Sequence, residues 1–580
     1  MNLTPYIMLL GSAPRPWSER IEQWLKALVA EGFQTLPLGD YTVVLVQPGT
    51  PYLTLPDQSG IVIGYVFSRT TNSRATNFQG AGELSINRFV ERYWGGYVAC
   101  RFTDGRQDIW RDPSGEVPCY YAKIDGIRIA TSRPSWLYDA SLLSPALNWA
   151  VLKQALIFRD FRPQLTALRG LAELLPGTSL AIENSRAWIQ TIWSPWQFTE
   201  ERSEIRDPAT AAEMLRETTT ACLGAWAGCF DRPLLEISGG LDSAIVAAGF
   251  RIASRGAMCL TFGPTVGDPN ELPYAKAIAA RLNLPLRIET LSVSDINILT
   301  SDGRDLPRPC ARNFSQALDR ILARAARETD ADAFFSGGGG DSVFGHLQSA
   351  LPAIDRYRRE GLGRGLLSTI DDVAVLGRVT IWKALETVAR RALRPAPPAP
   401  SFAPNRFVRA LAATTLTLPD HPWLTPDPAT LPAKRWHVWA MIGIYNYMEG
   451  FDRLKERPII SPLMAQPLFE LCLRIPMWLW CDGGINRAVA RQTFADILPP
   501  EVIARPTKGA FDGFGAALID QNRIVLRDLL LDGALAREDL IDVAKVEQSL
   551  AGPIPDGKAI VDLLTLADTE VWIRSWEARV

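Results

Sequence analysis

Histidine is scarce in this 580-residue chain, with three in all, and the eight cysteines, at positions 100, 119, 222, 229, 259, 310, 472 and 481, include no CxxC pair. Neither a zinc framework nor a disulfide scaffold is suggested, so reduced thiols in a cytoplasmic setting are the expectation. No apolar run reaches the length of a bilayer-spanning helix, and the patch within MNLTPYIMLLGSAPRPW is short and has no basic region before it. Integral membrane association is therefore not expected. A net charge of -2 lacks the basic footprint of a nucleic-acid binder. GxxxxGK[ST] is also missing, which excludes a Walker A phosphate loop.

What is present fits a folded protein. Apolar residues make up 47% of the chain and charged residues 21%, and the length implies about two to four domains rather than one core. The 18 tryptophans serve packing, with some available to line a groove for a peptide.

The most informative stretch runs from Leu234 to Gly249, LLEISGGLDSAIVAAG. Leu234 to Ile237 suits a buried strand, and Ala244 to Phe250 has the small and aliphatic residues of a helix packed on a parallel sheet. Between them lie Ser238, Gly239, Gly240, Leu241, Asp242 and Ser243. Glycines let backbone amides approach a ligand closely, the serines add hydroxyls, and a helix start adds partial positive charge, so a phosphate cradle is expected. Asp242 beside a polyphosphate requires a cation, which brings magnesium into the reading. An ordinary Gly- and Ser-rich turn is the plainer alternative.

SGGLDS after a strand resembles the pyrophosphatase loop of N-type ATP pyrophosphatases, which split ATP between its alpha and beta phosphates to adenylate a substrate. Strands and helices alternate after it, with apolar runs at Ala257 to Phe262, Leu286 to Thr290 and Ala333 to Ser336, and helices at Leu272 to Leu282 and Phe314 to Glu328. That order implies a doubly wound parallel sheet with ligands at the carboxyl ends of its strands. SGGGGDSVF, Ser336 to Phe344, falls at such an end and resembles the SGxGxDxxF segment of the asparagine synthetase family. The resemblance implies ATP contacts from Ser238, Gly239, Gly240, Asp242, Ser243, Ser336 and Gly337, with Asp242 and Asp341 holding magnesium. Glu271, in DPNELPYA, either joins the ATP and metal environment or simply stabilises a helix dipole.

Upstream, residues 1–204 read as short strands between turns. DIWRDPSGEVPCYY, RIATSRPSW and LLPGTSLAI occur there in the order found in the glutaminase-type (Ntn-type) α+β sandwich domain of the same family. One departure is decisive. Glutamine-dependent members carry a cysteine after the initiator methionine, and this sequence has Asn2. Glutamine is thus not the expected nitrogen donor, and Cys100 reads as a small buried hydrophobe.

Residues 205–580 are expected to form the synthetase domain, interrupted by a Pro-rich connector near 390–401, ARRALRPAPPAPS. Three further segments bear on chemistry. Gly338 stands where asparagine synthetases commonly have glutamate and beta-lactam synthetases tyrosine. RPIISPLMAQPLFELCLRIP resembles the RxPFLD region, with Met464 in place of the aspartate. DGGINRAVARQTFADILPPEVIARPTKGAFDGF resembles DGxxKxxLRxA...LPxxIxxRxKxGF, which places Lys508 on the lysine that stabilises charge during attack on an acyl adenylate. Glu449 and Glu456 are alternatives for an acceptor-orienting carboxylate, although solvated helix charges are the favoured reading of both.

Taken together, the chain resembles the lasso-peptide cyclases, also called lasso peptide macrolactam synthetases. That resemblance implies adenylation of an Asp or Glu side chain in a ribosomally made precursor peptide, followed by attack of the peptide's own N-terminal amine. A leader peptidase and a leader-binding protein would then be pathway partners. Ammonia-dependent asparagine synthetase, a beta-lactam synthetase-like ligase, and a non-catalytic peptide-binding member of a biosynthetic complex are the alternatives.

Overall fold

The computed structural model describes residues 4–78, 85–103, 105–264, 270–310, 312, 315–394, 404–409, 418–506 and 512–579. Its first part is built on two six-stranded antiparallel sheets. One runs, in spatial order, Ala172–Glu173, Tyr120–Ile124, Ile127–Thr131, Tyr6–Leu10, Thr42–Val46 and Gln34–Pro37. The other runs Arg186–Thr191, Thr178–Glu183, Arg106–Arg111, Tyr93–Thr103, Gly60–Ser68 and Tyr52–Thr54.

Side-chain alternation stacks these sheets. Tyr6, Met8, Leu10, Val44 and Val46 of the first share a core with Ile61, Ile63, Val98, Cys100, Ile109 and Leu180 of the second. The opposite face of Tyr6–Leu10 presents Ile7 and Leu9 to the main hydrophobic core, which also takes Ile21, Trp24, Leu25 and Leu28 from the helix Glu19–Ala30. Those four positions follow an amphipathic helical spacing. An α+β sandwich results. Cys100 is indeed a buried packing residue, and burial pushes its thiol up to about 12.

The second part centres on a five-stranded parallel sheet in the order Leu286–Glu289, Met258–Phe262, Pro233–Glu236, Ala333–Phe335, Ile459–Ile460. The strand order reverses between Pro233–Glu236 and Ala333–Phe335, which makes their carboxyl ends a topological switch point. Helices Leu241–Ile252, Leu272–Leu282 and Gln316–Glu328 connect the strands. The long helix Pro208–Ala227, capped by Asp207 accepting from Thr210 N at 2.8 Å, packs beside Leu241–Ile252. Of the Pro-rich connector, Arg390 to Ala392 end the helix Ile381–Ala392, while 395–403 lie outside the described residues.

A buried ionic cluster joins the two parts. Glu173 accepts from Arg111 at 2.8 Å, Arg162 at 2.7 Å and Arg308 at 2.6 Å. Burial would raise its pKa, but the three guanidiniums hold it down to about 2. Arg111 also donates to Gly115 O at 2.7 Å and Leu174 O at 3.0 Å, which ties RDPSG to the following AELLPG turn. Arg162 reaches across to Glu449 and to Tyr445 O.

Candidate active site

Both glycine-rich loops leave the parallel sheet at the switch point. SGGLDS links Pro233–Glu236 to the helix Leu241–Ile252, and SGGGGDSVF follows Ala333–Phe335. In the first loop Ser238 N donates to Ser243 Oγ at 3.1 Å and Gly240 N to Ser238 Oγ at 3.2 Å, a serine-braced turn whose helix directs its amino end at the cleft. Gly239 is pinned from outside. Its N–H donates to Glu271 Oε2 at 3.3 Å and its carbonyl accepts from Arg505 at 2.9 Å, while Arg505 and Glu271 pair at 3.1 Å.

The loops are pressed together to a degree that only glycine permits. A Cβ on Gly337 would lie 2.6 Å from Ser243 N, and one on Gly340 would lie 2.6 Å from Asp242 Cγ. Gly339 has φ +85° and abuts the Met464 sulfur. Thus the second loop's glycines serve close backbone approach, and they bring Ser336, Gly337 and Asp341 beside Asp242.

Asp242 and Asp341 converge on one positive centre. Arg487 Nη1 lies 3.0 Å from both oxygens of Asp242 and 2.5 Å from Asp341 Oδ1. His346 Nδ1 also stands 3.4 Å from Asp341. Arg487 and Asp242 are buried, whereas the Asp341 side chain is about half exposed. Two carboxylates able to share one guanidinium nitrogen fit the ligand set of a magnesium ion, which takes one or two protein carboxylates and completes its shell with phosphate oxygens and water. No group of three or more His, Cys, Asp or Glu side chains placed to hold a metal occurs among the described residues.

The remaining expectations fall out unevenly. Glu271 ties the Gly239 amide of the first loop to Arg505. Met464 is fully buried and packs against Gly339, while Gly338 is exposed, with Ser461 Oγ 3.3 Å from where its Cβ would stand. Glu449 is not a solvated helix charge. It is 6% exposed, accepts from Tyr120 OH at 2.8 Å and pairs with Arg162, so its place is the buried cluster. Glu456 pairs with Arg327 at the surface. Lys508 lies outside the described residues.

Arg487, Arg505 and Glu116 were not singled out from the sequence. Arg487 does stand in DGGINRAVARQ, where a basic residue inside a motif-like segment was the available signal. It is held at φ 54°, a left-handed conformation uncommon for a non-glycine residue, at the start of the helix Ala488–Phe494. Buried Arg491 anchors the same segment through Asn486 O at 2.7 Å.

A family profile described as asparagine synthase matches residues 231–574, more than half of the chain. No curated protein matches. Among solved structures, the chain is similar to the allosteric regulatory enzyme of purine biosynthesis at 9% identity, covering 49% of this chain and 80% of that one with a TM-score of 0.22. It is also similar to glutamine phosphoribosylpyrophosphate amidotransferase from B. subtilis complexed with ADP and GMP, at 9% identity, 49% and 65% coverage and a TM-score of 0.21.

Proposed function

Because the chain belongs to the asparagine synthase family, whose members form amide bonds at the expense of ATP, we propose that it closes a macrolactam in a ribosomally made precursor peptide. The observation that carries the catalytic reading is the convergence of Asp242 and Asp341 on one cationic centre beside the SGGLDS cradle. In this reading an Asp or Glu side chain of the peptide attacks the alpha phosphorus of ATP, and pyrophosphate leaves. The peptide's N-terminal amine then attacks the acyl adenylate, and AMP leaves.

Each residue has a task. Ser238, Gly239, Gly240, Ser243, Ser336 and Gly337 cradle phosphate, and Asp242 and Asp341 hold magnesium. The bound ion supplies neutralisation of triphosphate charge. Lys508 offsets the charge that develops on the carbonyl oxygen and the departing phosphate. An amine on the same molecule reacts at high effective concentration, so no ammonia source is required.

One observation bears on the acceptor and one on the nitrogen donor. Gly338 is exposed and carries no side chain where the resemblance to amino-acid ligases would put one toward the acceptor, which in this reading leaves room for a peptide. The cysteines of the sandwich, Cys100 and Cys119, are buried with thiols pushed up to about 12 and about 11, which suits packing rather than glutamine hydrolysis. A leader peptidase and a leader-binding protein are the partners this reading calls for.

The test is incubation with ATP, magnesium and a leader-cleaved peptide carrying an acidic residue several positions from its N-terminus. AMP, pyrophosphate and a product lighter by one water are expected. Asparagine formed from aspartate and ammonium would instead support the free amino-acid ligase, release of ADP would mark kinase chemistry, and nucleotide binding without turnover would mark a non-catalytic member.

A further inference from the structure

Glu116 is a carboxylate of the N-terminal sandwich set against Ser461 of the synthetase part. It stands on the turn Asp112 to Pro118, which the second part grips. Tyr445 OH donates to Pro113 O at 2.7 Å, and Gly115, at φ +68°, lies so close to the Tyr445 ring that a Cβ there would be 2.8 Å from Cε1. Gly96 makes room for the side chain, since a Cβ at that position would meet Glu116 Cβ at 2.8 Å. So held, Glu116 Oε1 accepts from Ser461 N at 2.9 Å.

Ser461 is also the residue that borders the space left by Gly338, with its Oγ 3.3 Å from the absent Cβ. Glu116 is therefore joined through Ser461 to the exposed Gly338 of the second glycine-rich loop, which carries Asp341. Its Oε2 has no hydrogen-bond partner among the described residues, and the residue is mostly buried but not closed off from solvent. We propose that Glu116 is the base that takes the proton from the attacking amine. The proposal rests on the amide-ligase reading and deepens it, since it gives the sandwich, which has Asn2 where a glutaminase would carry its cysteine, a part in the reaction.

The step balances. The amine nitrogen's electron pair forms the new C–N bond, and the proton that the nitrogen loses passes to Glu116 Oε2. The C–O bond to AMP breaks with its electron pair leaving on the AMP phosphate, and Glu116 then releases the proton to water. Burial pushes the Glu116 carboxyl up to about 8, with Asp112 adding to the rise and Ser461 N–H and Arg111 opposing it. When ionised, a carboxylate raised in this way is a stronger base than a free glutamate.

Glu116→Gln separates this role from a structural one, because Gln Oε1 still accepts from Ser461 N. Pyrophosphate formation from ATP and peptide is expected to stay within about threefold of wild type, while ring closure falls on the order of a hundredfold. Glu116→Ala is the second arm, and added formate is expected to restore ring closure at least about tenfold by the same chemistry. Wild-type ring closure in Glu116→Gln, or no formate rescue in Glu116→Ala, would overturn the proposal. Failure of the wild-type protein to form pyrophosphate with any peptide would instead overturn the ligase reading on which it rests.

Discussion

One nitrogen of Arg487 lies 3.0 Å from both carboxylate oxygens of Asp242, and the same nitrogen reaches Asp341. The guanidinium thus balances the two charges that we assign to magnesium. Buried carboxylates left without a counter-charge are costly, and breaking such a pair typically costs about 3–5 kcal/mol. Arg487→Met is expected to melt lower than wild type and to gain more thermal stability from added magnesium than wild type does. Equal magnesium shifts in the two proteins would separate Arg487 from the metal site. Asp242→Asn and Asp341→Asn should each abolish nucleotide turnover while keeping the far-ultraviolet circular dichroism of the wild type.

Gly340 carries a second, steric prediction. A methyl group there would enter the Asp242 carboxylate, with 2.6 Å to Cγ. Gly340→Ala should lower stability by about 1–3 kcal/mol, the usual cost of overpacking, and reduce pyrophosphate formation at least tenfold by displacing a metal ligand. Gly363→Ala, at a position with open space around it, is the control and should leave pyrophosphate formation unchanged.

The two loops were legible in the sequence because their glycines and acids follow strands, and the structure places both at the switch point. The convergence of Asp242 with Asp341 was legible too, but not the Arg487 that joins them, since a side chain from 245 residues further on has no local pattern. The strand Ile459–Ile460 escaped for another reason. It has two residues, lies between Pro458 and Pro462, and is a strand only because Phe334 and Phe335 pair with it. Glu449 was misjudged as solvated because helical spacing does not reveal which face an interdomain contact will cover.

Glu449 supports a prediction about stability rather than chemistry. It is buried against Arg162 and Tyr120 across the junction of sandwich and synthetase. Glu449→Gln should leave Arg162 with less compensation and cost about 3–5 kcal/mol of unfolding free energy, read from denaturant midpoints. A selective loss of turnover with an unchanged midpoint would return Glu449 to the active site.

His437 makes stability depend on pH. It is fully buried with Nε2 3.0 Å from Val343 O, on the segment of the second loop, and burial, aided by nearby Lys434, lowers its pKa to about 3. Its neutral form is thus favoured in the folded state, while the unfolded chain takes up a proton below about 6.5. Stability is complete above that value and falls as the pH drops toward 3, by about 1.4 kcal/mol per pH unit for this group. Titration of the denaturant midpoint should show a shallower fall in His437→Gln by that amount; identical slopes would show that His437 charges freely in the folded protein.

The central claim is that a substrate carboxyl attacks the alpha phosphorus of ATP before an amide bond forms. A peptide whose acidic side chain carries heavy oxygen in both carboxyl positions tests it directly, by mass spectrometry of the nucleotide released. The account predicts AMP that has gained one heavy oxygen for each ring closed, because the C–O bond to the adenylate breaks when the amine attacks. AMP without the label, or label recovered in inorganic phosphate alongside ADP, would contradict it.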